Sequence, residues 1–371
     1  MTITGILDVG VKNVTKAATG VSKLSVGSGN NNRIAFGVTE DLGGGMKAMA
    51  NAQMRFDPAT GNPEAAGARP LFQGETRIGV SGGFGTVMLG RGLSALQAPN
   101  GGNSDPWGVS TVAGSVYAAG FATDYAAGGE GRIDQGLWYT SPSFGGVTLS
   151  VSYSPRKIVT TAVTGVAAVP QSQLGVAPFT FTPAVAAVAA KAGGVSKTHQ
   201  SINLMYADGP LVVGIGSEQN RAADTLTQIY GNYNLTMAKL FASYAVVKGG
   251  SAAEQALGGT FAAAASAVNS GLGAVGPVAA GREIKNWTVG ASMPFGATTL
   301  RVGYSGWNGN GAVGQKDDTK LGVGVKYDLS KRTYMYSDLA LQTRKNNTGT
   351  AADGKDNSKL GSFDLGVAHS F

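Results

Sequence analysis

Cysteine is absent from this chain, histidine occurs only twice, and charged residues are scarce. Without cysteine the chain has no disulfide scaffold, no thiolate nucleophile and no Cys ligand for a metal ion. Charged residues make up 14% of the sequence, whereas a soluble domain usually carries about 25%. No run approaches the roughly 18 consecutive apolar residues of a membrane-spanning helix. These absences argue against a disulfide-rich module and against a bundle of membrane helices.

Glycine is abundant, at 58 of 371 residues, and the mean hydropathy is near zero. Three classes of protein fit this composition: a Gly-rich soluble β protein, a low-complexity secreted repeat, and a transmembrane β-barrel. A barrel needs few charges because its outer face meets lipid, and its sequence signal is a series of short alternating segments. The net charge of +7 is spread along the chain. This spread argues against binding of nucleic acid, and a basic lumen or rim is the competing interpretation.

Apolar residues alternate with small or polar residues along the whole chain. In the last segment Phe363, Leu365 and Val367 alternate with Asp364 and Gly366. Successive side chains of a strand point to opposite faces, so this pattern predicts a strand with one apolar and one polar face. The same period occurs at 34–38, 147–153, 202–206, 211–215, 300–304 and 321–329. Helical periodicity is scarce, and we predict an all-β protein.

The connections between the predicted strands fall into two kinds. Seven are short and rich in turn-forming residues, at 40–45, 82–85, 141–146, 207–210, 234–237, 294–297 and 328–332. Eight are long, at roughly 12–31, 57–73, 92–131, 155–198, 217–224, 248–284, 306–318 and 343–358. This sorting is typical of a bacterial outer-membrane barrel. We therefore predict one domain over residues 1–371, a 16-stranded antiparallel transmembrane β-barrel with short periplasmic turns and long extracellular loops.

A barrel of sixteen strands encloses an aqueous channel, because only much smaller barrels are filled by side chains. Several segments also resemble the Gram-negative general porins of the β-proteobacterial type. The most specific is 78–91 (IGVSGGFGTVMLGR), and the others are 4–11 (TGILDVGV), 33–48 (RIAFGVTEDLGGGMKA), 139–146 (YTSPSFGG), 329–333 (LSKRT) and 369–371 (HSF). The resemblance implies a homotrimer in the outer membrane, in contact with lipid and lipopolysaccharide. It also implies that the third loop, 92–131, folds inward as a constriction, and that Phe371 closes the last strand as an assembly signal.

Four arginines share the predicted lumenal face. They are Arg33, Arg55, Arg77 and Arg132, with Glu75 on the same side. If Ile78 and Val80 face lipid, for example, the alternation turns Arg77 inward. An arginine on the lipid face at mid-depth would cost about 2–4 kcal/mol, which supports the inward choice. The four arginines come from the second to the sixth strand, so we expect an arginine ladder on one sector of the wall.

The third loop carries three acids, Asp105, Asp124 and Glu130. If the loop folds inward, we expect these acids to face the arginines across a narrow eyelet and to produce a transverse field. Arginine ladders favour anions, and guanidinium groups keep their charge at any relevant pH. The alternative is that some arginines pair with the loop acids and only hold the loop in place. Family members often carry basic residues where this chain has Gly74 and Glu75, so the resemblance implies only a mild anion preference.

The sequence contains few candidate catalytic residues. His369 shares the lipid-facing parity of the last strand, and His199 has no Ser or Asp nearby at a spacing that indicates a triad. We find no metal-ligand spacing, phosphate-binding loop or Gly-x-Ser-x-Gly motif. We therefore predict no catalysis, no cofactor and no metal.

The predicted function is passive diffusion of small hydrophilic solutes and ions through an outer-membrane channel with a mild anion preference. A substrate-selective channel for organic acids, phosphate or sugars is the main alternative. A surface adhesin or receptor on a barrel scaffold is the third, and it would use the Ala/Gly-rich extracellular loops 158–195 and 249–281. The alternation begins directly at Ile3, so we expect an exported protein to have this sequence as its mature form, without a signal peptide.

Overall fold

The computed structural model consists mainly of long strands. The described residues are 1–15, 22–63, 71–108, 110–115, 132–155, 157, 159–160, 172–173, 181–182, 193–258, 280–308, 317–345 and 357–371. Sixteen of the strands form the barrel, and we number them in chain order. They are β1 Thr2–Thr15, β2 Arg33–Gly43, β3 Met46–Arg55, β4 Glu75–Gly82, β5 Gly85–Leu93, β6 Arg132–Thr140, β7 Val147–Ser154, β8 His199–Asp208, β9 Leu211–Gln219, β10 Thr225–Asn234, β11 Lys239–Lys248, β12 Glu283–Phe295, β13 Thr298–Asn308, β14 Asp317–Asp328, β15 Thr333–Lys345 and β16 Asn357–Ser370.

The sixteen strands form one closed antiparallel sheet. Each strand from β2 to β15 pairs with the strand that follows it in the chain. β1 pairs with β2 over residues 2–6 and with β16 over residues 6–14, so the sheet returns to its start. Closure leaves no barrel edge unpaired, as the hydrocarbon core of a membrane requires. The predicted 16-stranded antiparallel β-barrel is therefore confirmed.

Tight turns join the strands at one end of the barrel. Gly44 and Gly45 connect β2 to β3 with φ angles of +60° and +77°, and Gly209 connects β8 to β9 with φ of +52°. Glycine adopts these left-handed angles without the steric cost of a Cβ. Because neighbouring strands are antiparallel, the remaining connections lie at the opposite end. We call the two ends the short-turn end and the long-loop end.

The two faces of the sheet differ in the way that the alternation predicts. In β8, Ser201 and Asn203 are buried inside the barrel, whereas Ile202 and Leu204 are 49% and 45% exposed on its outer surface. Apolar side chains cover the outer face of the other strands as well, for example Ile215 and Val323. An outer face of this kind is stable in lipid and unfavourable in water.

The first connection differs from the predicted loop over 12–31. β1 continues to Thr15, and a seventeenth strand, Ser22–Gly27, pairs with it from Gly10 onward. Residues 28–32 then interrupt this neighbouring strand before β2 begins at Arg33. The stretch is rich in Ser, Gly and Asn, which are poor strand formers, so pairing with β1 overrides the local propensity.

Two short helices lie in the described connections, α1 Gln97–Ser104 and α2 Ala252–Gly258. Periodicity in the sequence did not predict α1. Ser94 starts the turn that leads into α1, because Gln97 N donates to Ser94 Oγ at 3.1 Å and Ala98 N donates to Ser94 O at 3.0 Å. A serine followed three residues later by glutamine is a capping pattern that indicates such a start. Within the described ranges, no helix is long and apolar enough to cross a membrane.

Candidate pore constriction

The connection between β5 and β6 turns into the barrel directly after Leu93. Ala95 N donates to Ser152 Oγ at 3.0 Å, and Leu96 N donates to Ser201 Oγ at 3.1 Å. The two serines are lumenal residues of the neighbouring strands β7 and β8. Leu96 is fully buried against the wall. Short hydroxyl side chains thus pair with the backbone N–H groups of a loop that has no sheet partner of its own.

Three further side chains fix the start of this loop. Ser94 Oγ donates to Glu218 Oε2, and Glu218 Oε1 lies 3.2 Å from His199 Nε2. Both Glu218 and His199 are buried. The carboxylate stands between the serine and the histidine, whereas in a catalytic triad the histidine contacts the serine directly. This arrangement anchors the loop to β8 and β9 and lacks the contact that would activate the serine.

α1 lies against β10 and is held by neutral amide pairs. Asn100 Nδ2 donates to Gln228 Oε1 at 2.7 Å, and Gln228 Nε2 donates back to Asn100 Oδ1 at 3.4 Å. One turn later, Asn232 Nδ2 donates to Asn103 Oδ1 at 2.9 Å. Asn100 and Gln228 are both buried. A buried amide needs a partner for its donor and its acceptor, and this pair satisfies both.

Beyond α1 the loop is fixed to the wall at Trp107. Its Nε1 donates to Asp338 Oδ1 on β15 at 2.7 Å. The Arg301 guanidinium on β13 donates to the two oxygens of Asp338 at 3.2 and 3.4 Å, and lies 5.5 Å from the centre of the Trp107 ring. The ring packs on Gly303, where a Cβ would come within 2.8 Å of it. A charged pair and an indole thus hold the loop against β13 and β15.

Asp105, one of the predicted eyelet acids, is turned into the loop. Its Oδ2 accepts from Trp107 N and its Oδ1 from Ser115 N, both at 3.0 Å, and the residue is 2% exposed. In the same buried region Lys320 Nζ donates to Gly114 O at 2.5 Å. Asp105 therefore stabilises the loop where it packs against the wall, and it does not face the arginines. Its carboxylate is occupied because the loop offers backbone N–H groups that no strand accepts.

Arg33, Arg55 and Arg77 lie on the three neighbouring strands β2, β3 and β4, together with Glu75. Arg33 is the register partner of Arg55, so the two share a face at the same height of the wall. Arg77 Nη2 lies 2.7 Å from Glu75 Oε2. The Arg77 guanidinium also lies 5.2 Å from the centre of the Trp138 ring. We call these three arginines and Glu75 the arginine cluster.

Arg132 departs from the simple alternation. The register between β5 and β6 shifts between Gly90 and Gly92, and Gln135 opposite this shift has φ of +51°. A bulge of this kind adds a residue to one strand and reverses the side-chain parity beyond it. The parity counted from the short-turn end therefore does not extend to Arg132. The residue is buried, and its Nε donates to Gly74 O.

A cavity of about 610 Å³ lies between the wall and the start of the loop. Arg77 lines it on the side of the arginine cluster, and Ala98 and Pro99 line it on the side of the loop. This open space connects the cluster with the short-turn end of the lumen. The other two predicted eyelet acids, Asp124 and Glu130, lie outside the described residues.

The C-terminal residue extends the barrel closure beyond β16. Phe371 N donates to Gly5 O at 3.1 Å, and Gly5 N donates to Phe371 O at 2.9 Å. The Phe371 ring lies over Gly5, where an added Cβ would overlap it. The final aromatic residue thus contacts the first strand through both its backbone and its ring.

Comparison with known proteins agrees with this architecture. The family model described as Gram-negative porin matches residues 1–348. The chain belongs to the Gram-negative porin family. The family predicted from the hairpin segments is thereby confirmed, and the porin is a protein of the outer membrane, as predicted.

Individual relatives span most of the porin. Outer membrane porin protein 32 of Delftia acidovorans is 25% identical in an alignment of 362 residues that covers 93% of this chain and 84% of that protein. An outer membrane porin protein of Bordetella pertussis is 25% identical over 323 residues, 83% of this chain and 76% of that protein. Among solved structures, the anion-selective porin from Comamonas acidovorans matches with a TM-score of 0.71 and 21% identity, covering 100% of this chain and 99% of that one. Its likeness supports the fold.

The relatives are porins, which are channels rather than enzymes. Within the ranges that the structure describes, no group of three or more His, Cys, Asp or Glu residues is placed to hold a metal ion. Several polar side chains of the lumen bind the third loop instead, namely those of Ser152, Ser201, Gln228 and Asp338. These anchors were not predicted from the sequence. Their lumenal parity was visible, but parity does not show which loop residue a side chain meets.

Proposed function

We propose that the porin is a passive diffusion channel for small hydrophilic solutes and ions, with a mild preference for anions. The barrel encloses a lumen too wide to be filled by wall side chains alone. The third loop occupies part of that lumen and leaves the cavity beside Arg77 open. Solutes that cross the barrel therefore pass between the loop and the arginine cluster.

The observation that carries the anion preference is the unequal exposure of lumenal charges. Asp8, Asp338 and Asp364 are 0%, 0% and 2% exposed, and each accepts hydrogen bonds from segments inside the barrel. Arg33 and Arg77 remain partly exposed. A solute in the channel thus meets guanidinium groups rather than these three carboxylates. Fixed cations at a constriction lower the energy of a passing anion.

Glu75 supports a mild preference rather than a strong one. It is the carboxylate inside the arginine cluster, and it lies 2.7 Å from Arg77 Nη2. It also accepts from Asn51 Nδ2 at 3.0 Å, so two neighbours hold it in this position. Because Arg55 is only 8% exposed, a solute meets the guanidinium groups of Arg33 and Arg77 and one carboxylate, and the positive excess is smaller than the count of arginines suggests. The structural relative from Comamonas acidovorans bears the description anion-selective porin, and this description is consistent with the proposal.

The test is a planar-bilayer recording of reversal potential across a potassium chloride gradient. The unmodified channel should give a reversal potential of the sign that chloride permeation produces. The triple variant Arg33→Gln, Arg55→Gln, Arg77→Gln should move the reversal potential toward the potassium side, because each substitution removes one fixed cation and keeps a polar side chain. Arg332→Gln is the matched control, since Arg332 is exposed at the short-turn end. Cation selectivity in the unmodified channel, or no change in the triple variant, would contradict the proposal.

A substrate-selective channel is the second candidate, and one observation favours it. Arg33 and Arg55 are direct register partners, so two guanidinium groups at one height suit a dianion such as phosphate or a dicarboxylate. A selective channel saturates as its solute concentration rises, whereas a diffusion channel conducts nearly in proportion to salt. We expect proportional conductance for chloride, and saturation with phosphate would favour the second candidate.

We also propose that the chain is one barrel domain that assembles as a homotrimer in contact with outer-membrane lipid and lipopolysaccharide. The exposed apolar outer face supports a lipid environment. Unheated protein on a denaturing gel should migrate as a trimer and shift to the monomer position after boiling. Migration as a monomer at all temperatures would contradict trimerisation and leave the channel proposal intact.

A further inference from the structure

Residues 28–32, which we call the inner shelf, leave the barrel wall between the seventeenth strand and β2. Gly29 N donates to Tyr336 Oη at 2.9 Å. Asn30 Nδ2 donates to Tyr334 Oη at 3.0 Å. Both tyrosines belong to β15, and two strands, β1 and β16, separate β15 from β2. Neighbouring strands lie about 4.8 Å apart, so the inner shelf reaches these tyrosines by crossing the inner surface of the wall.

Asp8 on β1 is the centre of the contacts that hold the inner shelf. Its Oδ1 accepts from Gly29 N at 3.0 Å and from Tyr336 Oη at 2.7 Å. Its Oδ2 accepts from Asn30 N at 3.2 Å and from Asn30 Nδ2 at 2.6 Å. Asp8 N in turn donates to Asn32 Oδ1 at 2.5 Å. A fully buried carboxylate with four donors fixes the segment through charge-assisted hydrogen bonds.

The phenol of Tyr336 reaches Asp8 because glycine lies on both sides of it. Tyr336 crosses Gly366 of β16, where an added Cβ would overlap the ring. On its other side, a Cβ at Gly29 would come within 2.5 Å of Tyr336 Oη. The inner shelf therefore depends on close approach at two positions, and a side chain at either one would displace the phenol.

The inner shelf links the arginine cluster to the third loop. Arg33 Nη1 donates to Asn31 O at 3.2 Å, so the guanidinium is held by the backbone of the shelf. Thr111 N of the third loop donates to Gly29 O at 2.7 Å. The arginine cluster and the third loop lie on the two sides of the solute path, and both contact the inner shelf.

We propose that the inner shelf is a second element of the constriction, and that Asp8 is a positioning residue that holds Arg33 in the arginine cluster through it. The part that concerns Arg33 rests on the proposed anion preference. Asp8 acts through the shelf and does not meet the solute, because its side chain is fully buried.

The sign of the selectivity change separates positioning from simple electrostatics. Asp8→Asn removes a lumenal negative charge, which by itself makes the channel more anion-selective. If Asp8 positions Arg33, the same variant loosens Arg33 and makes the channel less anion-selective. Tyr336→Phe removes one donor to Asp8 and one acceptor for Gly29 N without changing any charge. We expect both variants to lower the anion-to-cation permeability ratio by at least half of the decrease that Arg33→Gln produces.

The matched control is Asp318→Asn, which removes another buried lumenal carboxylate, on β14. We expect it to raise the permeability ratio. In the Arg33→Gln background, Asp8→Asn should then behave like this control, because there is no longer a guanidinium to position. A rise of the ratio in Asp8→Asn alone, or an unchanged ratio in Tyr336→Phe, would overturn the positioning role.

The place of the shelf in the lumen has a separate test, which does not depend on selectivity. The chain has no cysteine, so Asn31→Cys introduces a single thiol. A charged methanethiosulfonate reagent should lower the conductance of Asn31→Cys and leave that of Ser330→Cys, in a short turn, unchanged. No change at Asn31→Cys would overturn the inner shelf as a constriction element. If Arg33→Gln leaves selectivity unchanged while modification of Asn31→Cys lowers conductance, the anion preference fails and the shelf stands.

Discussion

Trp107→Phe tests whether the third loop is held to the wall by one hydrogen bond. The substitution removes the indole N–H that donates to Asp338 Oδ1 at 2.7 Å, and it keeps an aromatic ring beside Gly303 and Arg301. A hydrogen bond to a charged group contributes about 1.5–3 kcal/mol. Asp338 is not left unpaired, because Arg301 Nη2 still lies 3.2 Å from its Oδ1. We therefore expect a loss near the lower end, about 1.5–2 kcal/mol.

Hydrogen exchange measures this loss as the free energy of local opening. Two amides report on the loop, since Val112 N donates to Asp364 Oδ2 at 2.9 Å and Ser115 N donates to Asp105 Oδ1 at 3.0 Å. The Val112 amide is protected only while the loop lies against the wall, and the Ser115 amide only while the loop keeps its own fold. Because 1.4 kcal/mol corresponds to a factor of ten, these amides should exchange about 10- to 30-fold faster in Trp107→Phe. The amides of the β15–β16 ladder should keep their rates.

The matched control is Trp287→Phe on the outer face of the barrel. Trp287 packs edge-on against Tyr304 with 5.2 Å between ring centres, so the substitution has the same chemistry without a contact to the loop. It should leave exchange at 105–115 unchanged. Unchanged exchange in Trp107→Phe, or equal acceleration in both variants, would refute the reasoning.

Three further predictions concern other parts of the barrel. Lys320→Met removes the buried ammonium that donates to Gly114 O and interacts electrostatically with Asp105, Asp364 and Asp338. Removing one partner from such a buried set of charges costs about 3–5 kcal/mol, so thermal denaturation followed by circular dichroism should show a lower midpoint. In the turn after β9, burial raises the pKa of Asp224. The protonated carboxyl therefore favours the folded turn at acid pH, and this contribution to stability is lost as the pH rises through the raised pKa. Exchange protection of the Gly250 amide, which donates to Asp224 Oδ1 at 2.8 Å, should fall accordingly, and Asp224→Asn should abolish this dependence. Phe371→Ala should lower the fraction of protein whose gel mobility changes on boiling, because the ring contact with β1 is lost.

The barrel could be predicted from the sequence because its environment constrains every strand in the same way. A wall with lipid on one side and water on the other requires side chains of period two, as Ile202 and Leu204 show against Ser201 and Asn203. The strand Ser22–Gly27 was missed because only Leu24 and Val26 carry the alternation there, within a stretch rich in Ser, Gly and Asn. Its pairing with β1 is a tertiary interaction that local propensity does not report.

The candidate site could be predicted only where the alternation is unbroken. Parity assigned Arg33, Arg55 and Arg77 to one sector, and the register brings them together on β2 to β4. The same count is wrong for Arg132, because the bulge at Gln135 changes the parity and leaves no signal in composition. The alternation predicts where a lumenal residue lies along its strand, but it does not predict which loop residue that side chain contacts.

Lumenal acids bind the third loop more often than lumenal arginines do, and the reason is hydrogen-bond chemistry. A loop that crosses a lumen carries backbone N–H groups that no strand accepts, and carboxylates accept whereas guanidinium groups only donate. Asp105 and Asp364 accept such groups from the loop, and Asp338 accepts its indole. Cations bind the loop as well, as Lys320 does at Gly114 O, but this contact does not involve the arginine cluster on β2 to β4. The described part of the loop therefore covers Asp338 and Asp364 on the wall. In the proposed channel, the charge that a solute meets is then set by where the loop lies rather than by the net charge of the chain.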